Sequence, residues 1–252
     1  MGLDVAAVSE RDTINYVLDG VAGRRGGWIE TVNLDILRQW RGSADVRTLF
    51  AGADLVVADG MPLVWAGELQ GSPLPERVAG SSLILSLTAA AAEASASVFL
   101  LGGNPGTADA AAAGLVKLSP QLHVAGTLCP PVGFEHDPAW LDRIEQALNQ
   151  AAPDIVYVGL GCPKQERLIV QLRSRFPTTW FVSSGVSFSF VAGEIPRAPA
   201  TMQRLGLEWL HRMVQEPKRL YRRYLFHGIP FLVHLLVSSV AFRFRHAARA
   251  AR

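Results

Sequence analysis

The chain has 252 residues, of which 49% are hydrophobic and 18% charged, so it can form a full core and is not a disordered protein. It contains two cysteines, and neither lies in a spacing typical of a zinc site or a disulfide framework. The N-terminal residues show no basic-then-apolar export signal. These features predict a protein of a reducing compartment.

The net charge of +2 hides an asymmetry along the chain. Residues 1–203 hold 14 Lys and Arg against 20 Asp and Glu, whereas residues 204–252 hold 10 against 2, so the net charges are −6 and +8. A basic tail indicates a polyanionic partner, such as anionic lipid, a diphosphate or nucleic acid. The alternative is a solvated tail without such a partner.

Short apolar runs alternate with longer helical stretches from Trp28 onward. The pattern predicts strands at residues 28–33, 54–58, 98–101, 122–126, 155–159 and 178–183. It predicts helices at residues 34–50, 81–96, 105–118, 137–151 and 163–176, two of them with Pro in the first turn. The alternation indicates an α/β fold, with a Rossmann-like, mostly parallel sheet covered by helices on both faces.

The pattern changes after Gly193, where helical, aromatic and basic sequence follows to the end. We therefore predict a catalytic domain at residues 1–195 and a basic, helical appendage at residues 196–252. Residues 225–242 of the appendage carry no charge and have arginines on both sides. This composition favours a segment that lies in a membrane interface over one that spans it. The alternative is a helix packed on protein.

Ligands in parallel sheets bind beyond the carboxyl ends of the strands, here at residues 33–35, 59–62, 102–106 and 159–164. Asp59 follows an apolar strand and precedes Gly60, which suits a general base. An ordinary Asp-Gly turn is the alternative. The loop with Gly102, Gly103 and Asn104 can cradle a phosphate or ribose, although it lacks both the GxGxxG and the Walker pattern. A simple tight turn is the alternative.

A second glycine-rich strand end opens into a helix with a polar first turn, and its candidate ligand-binding residues are Gly159, Gly161, Lys164 and Gln165. A charged first turn without a ligand would look the same. The chain has no Asp-x-Asp pair of the kind that holds a divalent metal on a nucleotide diphosphate, so we predict no metal. Arginines would then balance the leaving group, with candidates Arg212, Arg219, Arg222 and Arg223. The first three would share one face if their helix continued through Pro217.

Several segments together resemble the WecG/TagA/CpsF glycosyltransferase family over residues 10–225, in matching order and spacing. They are Thr31-Val-Asn33, Ala58-Asp-Gly60, Arg77-Val-Ala-Gly80, Leu100-Leu-Gly-Gly103, the run from Val158 to Glu166, Ala192-Gly193, Arg197-Ala-Pro199, and Glu208-Trp209 through Glu216-Pro217.

The resemblance implies an inverting, metal-independent transferase that uses no cofactor. It would move N-acetylmannosamine, its uronic acid or a related hexose from a UDP-sugar to a polyprenyl-diphosphate-linked sugar in cell-surface polysaccharide synthesis. It also implies a peripheral enzyme on the cytoplasmic face of a bacterial membrane, with an anionic membrane surface as partner, and it suggests self-association.

The resemblance assigns roles to residues of this chain. Asp59 would be the base, with Thr31, Asn33 and Arg77 in the substrate pocket and Gln165 near the donor sugar. Arg212, Arg219 and Arg222 would close over the diphosphate. Many family members have Asp where Ser189 and Ser82 stand here, the first of them in a segment that approaches the uracil. We therefore expect Ser189 to contact the uracil differently from the Asp of those family members.

Two other functions fit parts of the sequence. A nucleotide-sugar-binding regulatory protein without catalysis would bind the same ligand but would not need Asp59. A nucleic-acid-binding module would use the basic tail. The apolar run at residues 231–236 argues against nucleic acid as a partner, because RNA-binding segments interleave basic and aromatic residues.

Overall fold

The computed structural model describes residues 2–204 and 206–250, and the side chains of all of these except residues 200, 204, 219 and 246–250. Its centre is a six-stranded sheet in the order β2-β1-β6-β5-β3-β4, in which every neighbouring pair is parallel. The strands are β1 (Gly27–Val32), β2 (Leu55–Ala58), β3 (Ser97–Gly102), β4 (His123–Leu128), β5 (Ile155–Gly159) and β6 (Trp180–Ser183). The predicted α/β class with a parallel sheet is confirmed.

Helices follow nearly every strand. In chain order they are α1 (Glu10–Ala22), α2 (Leu34–Gly42), α3 (Ala44–Phe50), α4 (Met61–Gln70), α5 (Gly80–Glu93), α6 (Thr107–Leu118), α7 (Pro138–Ala151), α8 (Lys164–Arg173), α9 (Ser187–Val191), α10 (Ala200–Arg204), α11 (Glu208–Gln215), α12 (Pro217–Tyr221) and α13 (Ile229–Ala250). A 3₁₀ turn occupies Phe134–His136, and a π-helix at Arg222–Gly228 leads directly into α13.

The core lies on both faces of the sheet, because successive strand residues point to opposite sides. Along β3, Val98 and Leu100 join a cluster with residues of α1, α5 and α6. Phe99 and Leu101 join a second cluster with residues of α7 and α8. The four inner strands β1, β3, β5 and β6 are therefore buried on both sides, whereas the edge strands β2 and β4 are only partly buried.

Three local predictions were wrong for identifiable reasons. The predicted helix at residues 34–50 is two helices, because Ser43 is extended and its hydroxyl accepts the Val46 N–H as the cap of α3. Pro105 lies outside α6, which begins after Gly106 in a left-handed conformation. Pro163 is the residue before α8 rather than its first turn. Helices α1 and α4 lie outside the helices that the sequence pattern predicts.

The C-terminal helices form a jointed segment. Helix α11 ends at Gln215, Glu216 is its C-cap, and Pro217 begins α12, so Arg212, Arg219 and Arg222 do not share one continuous helix. Helix α13 packs against α4, where Leu235 is buried and the Gln70 amide donates to Ser239 Oγ at 3.0 Å. The segment from Arg222 to Arg245 is long and apolar enough to cross a membrane, and only 11% of its apolar window is buried.

Candidate active site

Two adjacent cavities open at the carboxyl edge of the sheet, with volumes of about 240 and 490 Å³. The smaller one, the base cavity, is lined by Asp59, Thr31 and Arg77. The larger one, the glycine-loop cavity, is lined by the residues that follow β3, β4 and β5. The polar residues that line both are Asn33, Asp35, Gln165, Arg212 and Arg223. Parallel strands bring these sequence-distant loops together because their carboxyl ends meet at one edge.

Asp59 is held at the end of β2 by backbone contacts on both sides. Its N–H donates to the carbonyl oxygen of Val32, at 2.8 Å, and the backbone N–H of Gly80 is close enough to its carboxylate to lower its pKa. Gly80 is the first residue of α5, so the positive end of a helix faces the carboxylate. A side chain at Gly80 would meet Thr31, whose Oγ1 would lie 3.2 Å from the added Cβ.

Burial raises the pKa of Asp59 to about 6, although its side chain keeps some surface open to the base cavity. The Arg77 guanidinium opposes this rise in pKa, the Glu208 carboxylate adds to it, and the Gly80 N–H and Arg212 oppose it more weakly. The group is therefore ionised at neutral pH but less stabilised than a carboxylate in water. A base with a pKa near the working pH is well matched to proton abstraction.

Glu208 of α11 joins the C-terminal segment to this site. Its carboxylate accepts from Arg77 Nη1 at 3.1 Å and lies 3.9 Å from Arg197 Nε. Arg197 in turn donates from Nη2 to Ser82 Oγ at 2.7 Å. Ser82 thus holds Arg197 through a neutral hydroxyl. The C-terminal segment therefore places a charged side chain beside the base.

Thr31 and Asn33 line the base cavity but already make structural hydrogen bonds. The Thr31 hydroxyl donates to the carbonyl oxygen of Ser183 at 2.9 Å, which leaves its oxygen as an acceptor. Asn33 Oδ1 caps α2 by accepting from the N–H groups of Asp35 and Ile36, each at 3.1 Å. The fixed oxygen assigns the Asn33 amide nitrogen as the donor available to a ligand.

The glycine-loop cavity brings together six of the predicted substrate-binding residues: Gly103, Asn104, Gly159, Gly161, Lys164 and Ser189. Gly102 lines neither cavity. Its φ is +116°, and a Cβ added there would lie only 2.6 Å from the carbonyl oxygen of Gly159. The backbone at this position therefore requires glycine for structural reasons. Lys164 forms an ion pair with Glu135 at 2.7 Å.

Arg212 and Arg223 lie where the two cavities meet. The Nε of each is buried and has no hydrogen-bond partner among the described residues, and Arg223 Nη2 lies 2.9 Å from Asp35 Oδ2. Buried donors normally have partners, so this unfilled capacity indicates a site for an anion. Arg222 is exposed and lines neither cavity, and the side chain of Arg219 is outside the described residues.

Several lining residues were missed by the sequence reasoning. The loop after β6, from Ser184 to Ser187, follows the same carboxyl-end rule that found the other loops and could have been found by it. Trp65, Trp209 and Tyr224 form an apolar wall of the base cavity, and only packing brings them together. In residues 2–204 and 206–250, no cluster of three or more His, Cys, Asp or Glu side chains could hold a metal ion.

The fold and the site together define a class of protein, an α/β enzyme with a partly desolvated carboxylate beside a cavity that arginines line. The family follows from a sequence model described as the glycosyl transferase WecG/TagA/CpsF family, which matches residues 1–245. The chain belongs to this family and is a glycosyltransferase.

Two relatives carry the same descriptive name, N-acetylglucosaminyldiphosphoundecaprenol N-acetyl-beta-D-mannosaminyltransferase. The protein from Bacillus spizizenii is 30% identical over 201 residues, which cover 80% of this chain and 76% of the relative. The protein from Bacillus subtilis is 28% identical over 194 residues, which cover 77% and 73%.

The charge beside Asp59 generates a pH prediction. Glu208→Gln removes a like charge and releases Arg77, and both changes stabilise ionised Asp59. We expect the acid limb of the turnover profile, near pH 6 in the parent protein, to move down by roughly half a pH unit or more. Turnover from pH 5 to 9 measures it. Glu68→Gln, at an exposed position of α4 that lines neither cavity, is the control, and an unmoved or rising limb in Glu208→Gln would contradict the assignment.

Proposed function

We propose that this glycosyltransferase moves N-acetylmannosamine or a related hexose from a UDP-sugar to a polyprenyl-diphosphate-linked acceptor sugar, with inversion and without a metal. One observation carries the proposal. Asp59, with a pKa raised to about 6, faces a cavity whose wall also holds two arginines with unfilled hydrogen-bonding capacity. A base and an anion site in one cavity are what displacement of a diphosphate requires.

The donor would occupy both cavities. The glycine-loop cavity, with Gly103, Asn104 and Lys164, suits the nucleotide, because open backbone and a cation there can meet ribose and phosphate oxygens. Arg212 and Arg223 at the junction would bind the diphosphate. The sugar would then lie in the base cavity beside Asp59. Ser189 offers the uracil a hydroxyl where a carboxylate stands in many relatives of this family.

The reaction is a single displacement. The Asp59 carboxylate takes the proton from a hydroxyl of the acceptor sugar, and that oxygen forms a bond to the anomeric carbon of the donor. The bond between the anomeric carbon and the diphosphate oxygen breaks from the opposite side, so the configuration inverts. Arg212 and Arg223 stabilise the charge that grows on UDP, which is the role a divalent metal fills in other transferases.

The apolar wall of the base cavity supports a lipid-linked acceptor. Trp65, Trp209 and Tyr224 stand beside Ile229 and Leu232, which begin α13 and continue toward its exposed apolar face. Both relatives are named for an undecaprenol-diphosphate-linked N-acetylglucosamine acceptor. We infer the same acceptor class here, with the lipid end leaving the site along α13.

Asp59→Asn tests the base. We expect turnover to fall by about 100- to 10,000-fold, the usual contribution of a general base, with UDP affinity within a few-fold. Because the raised pKa means that ionised Asp59 costs stability as pH rises through about 6, the variant should be at least as stable as the parent at pH 8. UDP release over a panel of UDP-sugars with a polyprenyl-diphosphate-N-acetylglucosamine acceptor measures turnover, and denaturant unfolding measures stability. Ligand binding with no product in the parent protein would instead support a regulatory function.

Neighbouring arginines provide a matched pair for the diphosphate site. Arg223→Ala removes a cation from both cavities, whereas Arg222→Ala removes one from the exposed side of the same turn. We expect the Arg223 variant to lose about 10- to 100-fold in turnover, the size of one charge-assisted contact, and the Arg222 variant to lose much less. An equal or larger loss in Arg222→Ala would contradict this assignment of the diphosphate contact.

We also propose that residues 196–252 act as an appendage that holds residues 1–195 on the cytoplasmic face of the membrane. Val233, Val237, Val240 and Phe244 form an exposed stripe at helical spacing on α13, and Arg243 and Arg245 are exposed near its end. The opposite side, with Leu235 and Ser239, packs on the protein. A helix with one docked side and one exposed apolar side suits the membrane interface.

Val237→Asp combined with Phe244→Asp tests this face. We expect at least a 10-fold loss of binding to vesicles that contain anionic lipid, because two apolar side chains can no longer leave water. Leu118→Asp, at a position 68% exposed on α6, is the control for adding a charge to an apolar surface position. Undiminished vesicle binding by the double variant would exclude this face as the contact.

A further inference from the structure

A pair of buried acids lies beneath the site and takes no part in the proposed reaction. Glu30 stands in the middle of β1 and Glu166 in the first turn of α8, and both are 0% exposed. A carboxylate in such a position is strongly disfavoured unless it is paired or neutralised. Two of them therefore need a specific arrangement.

The hydrogen bonds around the pair leave one carboxyl oxygen of each acid without a partner among the described residues. Glu30 Oε2 accepts from the Ser183 hydroxyl, and Glu166 Oε1 accepts from Gln165 Nε2 at 2.8 Å. The other two oxygens, Glu30 Oε1 and Glu166 Oε2, have no hydrogen-bond partner among the described residues. Each carboxyl group influences the pKa of the other, so the two acids are close neighbours in the interior. One proton shared between these two oxygens would give each of them a hydrogen-bond partner.

The electrostatics agree with one retained proton. Burial raises the pKa of Glu30 well above its usual range, and the nearby Glu166 carboxylate raises it further. Burial also raises the pKa of Glu166, but its backbone N–H opposes that rise, followed by the Gln165 amide, the Cys162 thiol and Glu30. These directions favour Glu30 as the acid that holds the proton and Glu166 as the carboxylate that accepts it.

Gly161 and Glu166 together fix the orientation of the Gln165 amide. The Gly161 N–H can only donate, and Gln165 Oε1 accepts it at 3.1 Å, so the amide nitrogen must face Glu166. One of its two N–H groups goes to Glu166, and one remains. Gln165 is 2% exposed and lines both cavities, so its residual surface is the part that faces a ligand.

We propose that Glu30 and Glu166 share one proton and that Glu166 is a positioning residue, which holds the Gln165 amide so that its free N–H serves a bound sugar-nucleotide. The role in turnover rests on the proposed function, whereas the shared proton does not. Glu166 touches no substrate and acts through Gln165.

A substrate-free measurement tests the shared proton. At pH 8, the infrared spectrum of the parent protein should show the C=O stretch of a protonated carboxylic acid, and Glu30→Gln should remove it. Absence of the band in the folded parent, or its persistence in Glu30→Gln, would overturn the shared proton. This result is independent of whether the protein transfers a sugar.

A double-mutant cycle tests the positioning role. Gln165→Ala and Glu166→Ala should each lower kcat by about 10- to 100-fold while UDP affinity stays within a few-fold, because one charge-supported contact to the sugar is lost. In the Gln165→Ala background, the additional Glu166→Ala change should then lower kcat by no more than about 2-fold. A multiplicative loss in folded protein would show that Glu166 acts other than through Gln165 and would overturn the role.

Conservative variants keep the test decisive if Glu166→Ala fails to fold. Glu166→Gln retains an accepting oxygen without the charge, so it should lose less turnover than an alanine variant and should again add nothing to Gln165→Ala. Glu30→Gln can donate an N–H to Glu166 and should lose less turnover than Glu30→Ala. Reversal of either order would contradict the proposal. If the folded parent transfers no sugar, the proposed function fails while the infrared result still stands.

Discussion

The ionisation of Asp59 depends on a balance between desolvation of its carboxylate and partial compensation of the negative charge. The protein surrounds the carboxylate closely enough to raise its pKa, yet the Gly80 N–H and the Arg77 guanidinium keep it ionised at neutral pH. That balance requires β2 to end at this point, α5 to begin with a residue lacking a side chain, and Thr31 to fit beside it. The close packing of three elements around one carboxylate sets the geometry of the site.

The C-terminal segment lines the candidate site and also presents an exposed apolar surface. Glu208 contacts Arg77 beside Asp59, while Arg212 and Arg223 line both cavities. The same segment continues into α13, whose exposed apolar side faces away from the protein. The exposed apolar side of α13 and the arginines that line both cavities are therefore mechanically linked, because one jointed set of helices carries both.

The site also combines residues on the rigid sheet edge with residues on separate short helices. The sheet edge holds the base, the glycine loops and the buried acid pair, and each has hydrogen-bond partners or packing that leave little freedom. The arginines stand on short helices separated by a break at Glu216 and Pro217. Under the proposed mechanism, a rigid base with cations supplied from a separate segment suits a reaction in which a diphosphate must first be bound and then released.

The sequence alone determined the parallel α/β sheet, since continuous apolar strands alternating with helices have few other solutions. It also located Asp59 and the glycine loops, because carboxyl-end loops follow from strand positions. Helix boundaries such as Ser43 depended on local capping, which competes closely with helix propensity. Only the tertiary structure separated Arg223 from Arg222 and paired Glu30 with Glu166. Those relations join residues far apart in sequence, or depend on which side of a turn faces inward, and packing rather than local pattern decides both.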